Sequence, residues 1–172
     1  MSFGESLEKI GDRAFSYCIS LKSVYLPDSL VEIGSSAFNE CYYLSEVRMG
    51  DNVKTIGESA FFNCMGLIYI DLSSALTEIS NNLFASCSHL EDVKMYDNVK
   101  VIGENAFDSC VTLQSLALPK SIQRIEKNAF IGCVGLRTVI YKGDQKDYIK
   151  LNVDETGNEF FYDAEMIISE GR

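Results

Sequence analysis

A phrase of nine residues that ends in cysteine occurs six times in this chain, at intervals of 23 residues. Examples are IGDRAFSYC at residues 10–18, IGSSAFNEC at 33–41 and IGENAFDSC at 102–110. The phenylalanines and cysteines that keep this step without insertion or deletion are Phe15, Phe38, Phe61, Phe84, Phe107 and Phe130, and Cys18, Cys41, Cys64, Cys87, Cys110 and Cys133. So regular a period indicates a solenoid, in which each repeat forms one coil and equivalent side chains lie above one another.

Each repeat begins with alternating apolar residues. In residues 21–26, LKSVYL, the apolar Val24 and Leu26 are two positions apart. This spacing predicts a short strand that turns these two side chains inward, because successive strand residues point to opposite faces. Ser23 and Tyr25 should then point outward.

Two more apolar groups follow in the same repeat. Leu30 and Ile33 form a second short apolar step, and Ala37, Phe38 and Cys41 stand at i, i+1 and i+4. The latter spacing predicts a single helical turn with one buried face. One turn buries too little apolar surface to fold alone, so we predict that the six phenylalanines and six cysteines form structural ladders through the stack.

The pattern read from Leu21 to Cys41, L-x-x-V-x-L-P-x-S-L-x-x-I-G-x-x-A-F-x-x-C, resembles the BspA-like leucine-rich repeats. This resemblance implies an α/β solenoid, a right-handed coil of short parallel strands and short helical turns with a C-terminal cap. Six 23-residue repeats should occupy residues 1–141, with units that begin near residue 4, and the cap should occupy residues 142–172.

The tail is similar to the closing segment of many such arrays. The resemblance implies a short helix that holds Tyr148 and Ile149, a turn at Gly157 and Asn158, and a last apolar strand from Met166 to Ile168. Such a segment would cover the end of a solenoid that otherwise exposes its core.

No corresponding cap precedes the first repeat, whose Leu7, Ile10 and Phe15 are already in register. We expect one of two arrangements. Either the chain is the C-terminal piece of a longer array, or two chains cover each other's first coils.

Composition argues against several classes of partner. The net charge of −10 and the pI near 4.5 give an acidic surface that repels phosphate backbones, so we predict no nucleic-acid partner. No apolar run approaches the roughly 20 residues of a membrane-spanning helix, so no membrane insertion is expected. The first residues, MSFGESLEK, lack the basic and apolar regions of a secretory signal. The family resemblance nevertheless implies a cell-surface or secreted protein.

The residues that could take part in catalysis or metal binding all have structural explanations. The cysteines lack the short spacings of zinc sites and match a buried ladder of small side chains. His89, the sole histidine, stands where other repeats have unrelated residues, and the pair Glu91 and Asp92 lies on a strand that offers no deep cleft. We therefore predict no enzyme activity, no metal and no cofactor, with a hydrolase that uses these three residues as the less favoured hypothesis.

The variable outward face of the strands is the predicted interaction site. Its anchor candidates are Tyr25, Tyr69, Tyr96 and Ile68, because tyrosine supplies a large contact area. Arg48, Asp71 and Lys94 are further predicted binding residues of this face; they alternate in sign on successive coils and should pair with one another. Neutral drift of a solvated face would produce the same variation.

We therefore predict a non-catalytic protein-binding module that acts through the outer strand face. The resemblance implies cell-surface recognition or adhesion. The alternative is a structural spacer or assembly element that continues an array, or self-associates, through its uncapped first coil.

Overall fold

The two apolar steps of each repeat form two short strands, and the chain winds into a parallel β-solenoid of about seven coils. The computed structural model describes residues 1–169. Each repeat contributes to three sides of the stack, which we call the long-strand face, the short-strand face and the turn face. The predicted solenoid is confirmed.

The long-strand face consists of strands of three or four residues. They are β2 (Ser23–Tyr25), β4 (Glu46–Arg48), β6 (Tyr69–Asp71), β8 (Asp92–Lys94), β10 (Ser115–Leu118), β12 (Thr138–Tyr141) and β14 (Glu165–Ile168). Val24 and Leu26 are buried and Tyr25 is exposed, as the alternation predicts. The hydrogen-bonded groups are β2–β4, β6–β8 and β10–β12–β14, so in the described residues β4 and β6 are neighbours that share no ladder pairing.

The short-strand face consists of strands of two residues. They are β1 (Lys9–Ile10), β3 (Glu32–Ile33), β5 (Thr55–Ile56), β7 (Glu78–Ile79), β9 (Val101–Ile102), β11 (Arg124–Ile125) and β13 (Asn152–Val153). Ile10 lies opposite Ile33, and Ile33 lies opposite Ile56. The strand register therefore equals the 23-residue period of the sequence.

The turn face differs from its prediction in one detail. Ala37, Phe38 and Cys41 are fully buried, but their segment consists of successive turns instead of a helical turn. Ser36 and Glu40 have positive φ angles of 55° and 57°. Alternate amides consequently bond along the stack and within the coil: Phe38 N–H donates to the next coil, and Cys41 N–H donates to the Phe38 carbonyl. In a helical turn these amides would all donate within the coil, and the turn face would contribute no hydrogen bonds between neighbouring coils.

Stacked phenyl rings run through the solenoid behind the turn face. From Phe15 to Phe130, neighbouring ring centroids are 5.3 to 6.0 Å apart. Phe161 continues the stack at 5.4 Å from Phe130, although it comes 31 residues later in the chain and breaks the period. Phe3 packs edge-on against Phe15 at the other end.

Residues 142–169 add two helices, α1 (Gln145–Tyr148) and α2 (Glu159–Asp163), and the last strand, β14. The segment is tied to the last repeat by buried Asn158, whose Oδ1 accepts the Phe130 N–H at 3.0 Å. The same side chain donates to the Glu126 and Asp154 carbonyls. Gly157 has a φ of 69° in the turn before it. The division at residue 141 and the capping role stay predictions, and residues 170–172 of the predicted cap lie outside the described residues.

The first coil is less covered than those that follow. Met1 to Phe3 run beside β2, with the Tyr25 N–H donating to the Met1 carbonyl at 2.8 Å. Ile10 is buried, and Leu7 and Phe15 are partly buried against the core. The predicted self-association through this coil stays a prediction.

Candidate binding surface

Two similar polar clusters lie on the long-strand face. In the first, the Tyr25 hydroxyl and Arg48 Nε both donate to the Glu46 carboxylate, at 3.1 and 2.8 Å. The Arg48 guanidinium lies 5.2 Å from the centroid of the Tyr25 ring. Tyr25 is therefore only 37% exposed and its hydroxyl is already engaged.

The second cluster, two coils later, joins Asp71, Lys94 and Tyr96. Lys94 Nζ and the Tyr96 hydroxyl donate to the two Asp71 oxygens, at 2.8 and 3.0 Å. The hydrogen bond that Lys94 donates to Asp71 raises the pKa of Lys94, and the Lys94 ammonium lies 4.8 Å from the Tyr96 ring centroid. The predicted pairing of Asp71 with Lys94 is thus present.

The predicted pairing of Arg48 with Asp71 was wrong. Arg48 instead pairs with Glu46, two residues earlier on the same strand. Side chains at i and i+2 of a strand point to the same face, so this partner is always within reach. Asp71 is already occupied by its own cluster, and β4 and β6 are not joined by a ladder.

Ile68 and Tyr69 lie on the same coil as Asp71 of the second cluster, next to the coil that carries Glu46 and Arg48 of the first cluster. Their side chains are 49% and 44% exposed, and within residues 1–169 the Tyr69 hydroxyl makes no hydrogen bond. Partial burial, and next the negative charge of Asp71, raise the pKa of Tyr69. Of the predicted anchors, Tyr69 and Ile68 are therefore the two whose side chains can still contact a partner.

A depression of about 410 Å³ marks the place where β4 and β6 separate. Its lining includes Ser45, Met49, Ile68, Tyr69 and Tyr96. Strands without a shared ladder leave a groove between their side chains, and here this groove opens next to the two exposed anchors.

A second depression, of about 380 Å³, shares Ile68 with the first and continues toward the turn face. Its walls are Tyr42, Tyr43, Met65, Gly66, Ile68 and His89. Tyr43 is 66% exposed and Met65 38%. The imidazole Nδ1 of His89 lies 2.8 Å from the Met65 carbonyl oxygen. We name the exposed group of Tyr43, Met65, Ile68, Tyr69 and His89 the Ile68 surface.

The sequence prediction missed Tyr43 and Met65. Both stand one or two positions after the repeated cysteine, where equivalent residues include Ile19, Val111 and Val134. These are exposed as well. The sequence signal is the recurrence of apolar residues at the position after the repeated cysteine. The strand pattern does not indicate these residues, because they belong to the turn that precedes the strand.

Uncompensated negative charge surrounds this surface. Asp51, Glu91 and Asp92 are exposed and form no ion pair within the described part of the chain. Asp92 is the register partner of Tyr69 on the next strand. The cations of both clusters, Arg48 and Lys94, are neutralised by their own carboxylates.

The second depression does not bring the residues of the hydrolase hypothesis together. His89 lines it, whereas neither Glu91 nor Asp92 does. In residues 1–169 no three metal-ligating side chains gather at one place. No helix of the described residues has the length and apolarity to span a membrane.

Five of the six repeated cysteines are fully buried, and Cys18 of the first coil is exposed, contrary to the prediction of a uniformly buried ladder. Each buried thiol donates to the phenylalanine carbonyl 26 residues earlier, at 3.0 to 3.2 Å, as Cys87 does to Phe61. Burial raises the pKa of Cys87 and of Cys133 to about 12 and that of Cys41 to about 11. These thiols therefore remain protonated and satisfied near neutral pH.

The family model of the BspA type leucine rich repeat region matches residues 8–137 as six copies. The chain belongs to the BspA-type leucine-rich repeat family. A comparison with curated proteins finds no significant match. Among solved structures, the T. pallidum leucine rich repeat protein TpLRR is 31% identical with a TM-score of 0.78, over 81% of this chain and 67% of that one.

Two further structures extend this comparison. A leucine rich cell surface protein from Faecalibacterium prausnitzii A2-165 is 26% identical with a TM-score of 0.63, over 90% of this chain and 35% of that one. A leucine-rich repeat protein from Bacteroides ovatus ATCC 8483 shares the fold at 24% identity and a TM-score of 0.57, over 98% and 56%. The BspA-type chain thus spans between about a third and two thirds of these structures. Leucine-rich repeats are scaffolds that often serve protein interaction.

Proposed function

We propose that this BspA-type domain is a non-catalytic protein-binding module whose Ile68 surface contacts another protein. The observation that carries the proposal is the exposure of Ile68 and Tyr69 beside Tyr43 and Met65, on neighbouring coils. Single exposed apolar residues are normal on soluble proteins, but contiguous ones mark interaction sites.

The polar clusters on either side suit such a site. Tyr25, Glu46 and Arg48 satisfy one another, as do Asp71, Lys94 and Tyr96. A partner that covers these groups would not leave a buried charge unpaired, which would cost binding free energy. The clusters would therefore form a polar rim around an aromatic and aliphatic centre, the arrangement of many protein interfaces.

Photo-crosslinking tests the proposal. A photoreactive residue at Tyr69, or for comparison at Glu78 on the short-strand face, would be irradiated in cells that express the native gene. We expect a discrete protein adduct at position 69 alone. The same adducts from both positions would contradict a specific surface.

Affinity measurements on the identified partner complete this test. Ile68→Ser with Tyr69→Ser should weaken binding at least about tenfold, because central aromatic and aliphatic contacts dominate interface energies. Ile149→Ser with Tyr162→Ser removes an isoleucine and a tyrosine that are more exposed and lie elsewhere, and should leave the affinity unchanged. Equal losses in both double variants would refute the proposal.

We further propose that the module acts in recognition or adhesion at the cell surface. The support is the resemblance to a structure described as a cell surface protein, of which this chain spans 35%. Limited proteolysis of intact expressing cells is the measurement: a surface protein is cleaved before an intracellular marker. Protection until lysis would contradict this location.

A second candidate is assembly through the first coil, where Ala14 and Cys18 are exposed although Ala37 and Cys41 at the equivalent positions are buried. Light scattering under reducing conditions would show a dimer that dissociates on dilution. Ala14→Arg should prevent that dimer without affecting the Ile68 surface. A monomer at all concentrations would eliminate this candidate.

A further inference from the structure

We propose that the partner of the Ile68 surface is an extended protein segment in which an aliphatic side chain adjoins lysine or arginine. This inference rests on the proposed protein-binding function and adds the chemistry of the partner. Two features of the surface determine it: an apolar depression for one side chain, and a set of carboxylates that lack a counter-charge.

The apolar requirement comes from the shared depression. Tyr42, Tyr43, Met65 and Ile68 form most of its walls, and its volume of about 380 Å³ exceeds that of a single aliphatic side chain. Methionine adapts to differently shaped aliphatic groups because its unbranched side chain is flexible, and tyrosine supplies a large apolar contact surface.

The sign of the partner's charge follows from the ion pairs. Arg48 and Lys94 are each bonded to a carboxylate, so an acidic partner would have to displace an existing pair. A basic side chain could pair with Asp51, Glu91 or Asp92 without displacing an existing ion pair. Lys22 stands at the position equivalent to Ile68 two repeats earlier, and it forms no ion pair among residues 1–169.

The direction of the partner follows from the distribution of these carboxylates along the stack. Asp51 precedes Ile68 by less than one repeat, and Glu91 follows it by one full repeat of 23 residues. Because neighbouring coils are about 4.8 Å apart, a segment that contacts both carboxylates crosses at least two coils. Asp51 follows its strand and Glu91 precedes its strand, so such a segment crosses the long-strand face diagonally over Tyr69, with basic residues on either side of its aliphatic anchor.

Selection from a displayed random-peptide library tests the inference directly. The library would be selected on the wild-type chain and depleted on the variant Ile68→Ser with Tyr69→Ser, which has the same net charge. This depletion removes peptides that bind through general attraction to a chain of charge −10. We expect the surviving peptides to contain lysine or arginine next to leucine, isoleucine, valine or methionine.

Matched charge variants then measure the contribution of the carboxylates. Glu91→Gln with Asp92→Asn should weaken the best selected peptide at least about threefold in about 0.01 M salt, and less in about 0.15 M salt, because exposed ion pairs are weak and screened. Glu78→Gln with Glu155→Gln removes two exposed charges elsewhere and should change the affinity little.

The outcomes separate this inference from the proposed function. Enriched peptides that are acidic or uncharged, yet depend on Ile68 and Tyr69, would overturn the basic partner and support the binding surface. Equal losses in the two charge variants would also overturn the inference. A library in which no peptide distinguishes wild type from the Ile68 and Tyr69 variant would reject both.

Discussion

Raising the pH from about 9 to about 10 should lower the free energy of unfolding by about 3 kcal/mol through the buried Cys41, Cys87 and Cys133. Five thiols are fully buried, and burial raises the pKa of each from an ordinary value of 9.0. In the unfolded chain they ionise at their ordinary pKa. Because the folded-state pKa is the higher one, the contribution is intact below about pH 9 and is lost as the pH rises toward the folded values.

The magnitude follows from the pKa of Cys87, which burial raises to about 12. Linkage gives a loss per thiol of about 1 kcal/mol between pH 9 and pH 10. Cys41, with a pKa of about 11, and Cys133, with a pKa of about 12, give nearly the same loss over this interval. These three thiols therefore account for about 3 kcal/mol, and Cys64 and Cys110, whose pKa burial also raises, change the stability in the same direction.

Urea denaturation followed by far-UV circular dichroism, in a phosphine reductant at both pH values, measures this loss. Cys87→Ala should lose about 1 kcal/mol less than wild type between the two pH values, since one buried thiol is absent. Tyrosines and lysines titrate equally in both proteins and cancel in the difference. The exposed Cys18→Ala is the control and should lose as much as wild type. An identical loss in the Cys87 variant would refute the role of thiol burial.

Four other perturbations test the packing. Phe84→Ala, in the middle of the phenyl stack, should reduce the unfolding free energy in urea by about 3–5 kcal/mol. Gly57→Ala should cost about 1–3 kcal/mol because its Cβ would collide with the backbone of the preceding coil, whereas Gly11→Ala has open space and should be tolerated. Asn158→Ala leaves the Phe130 N–H without its acceptor and should lower the thermal midpoint and speed proteolysis at the tail. A thiol reagent at mild alkaline pH should modify Cys18 rapidly and the other five cysteines only on unfolding; two or more rapid equivalents would contradict the burial of the ladder.

The fold was largely predictable because a strict period repeats one set of local choices in every coil. Val24, Leu26, Leu30 and Ile33 are buried as the apolar pattern predicts. The turn face was less predictable, because spacing alone does not distinguish one helical turn from successive turns with positive φ. Phe161 was missed for a different reason: it joins the phenyl stack from outside the period, so no repeat pattern indicates it.

The candidate site was only partly predictable. Tyr69 and Ile68 were identified as outward residues, and both are exposed. Tyr25 and Tyr96 were given equal weight, but hydrogen bonds to Glu46 and Asp71 already engage their hydroxyls. Whether the surface binds a partner stays a prediction until the variants are measured.

The period, the inward columns and the family could be established from the amino-acid sequence, since each depends on which residue types recur every 23 positions. The outward side chains that remain free to contact a partner became evident only in the folded chain. There Arg48 pairs with Glu46, a groove opens between β4 and β6, and Tyr43 and Met65 meet Ile68 across coils. Burial follows the repeat period along the chain, whereas the contacts of an exposed side chain depend on neighbours from different coils.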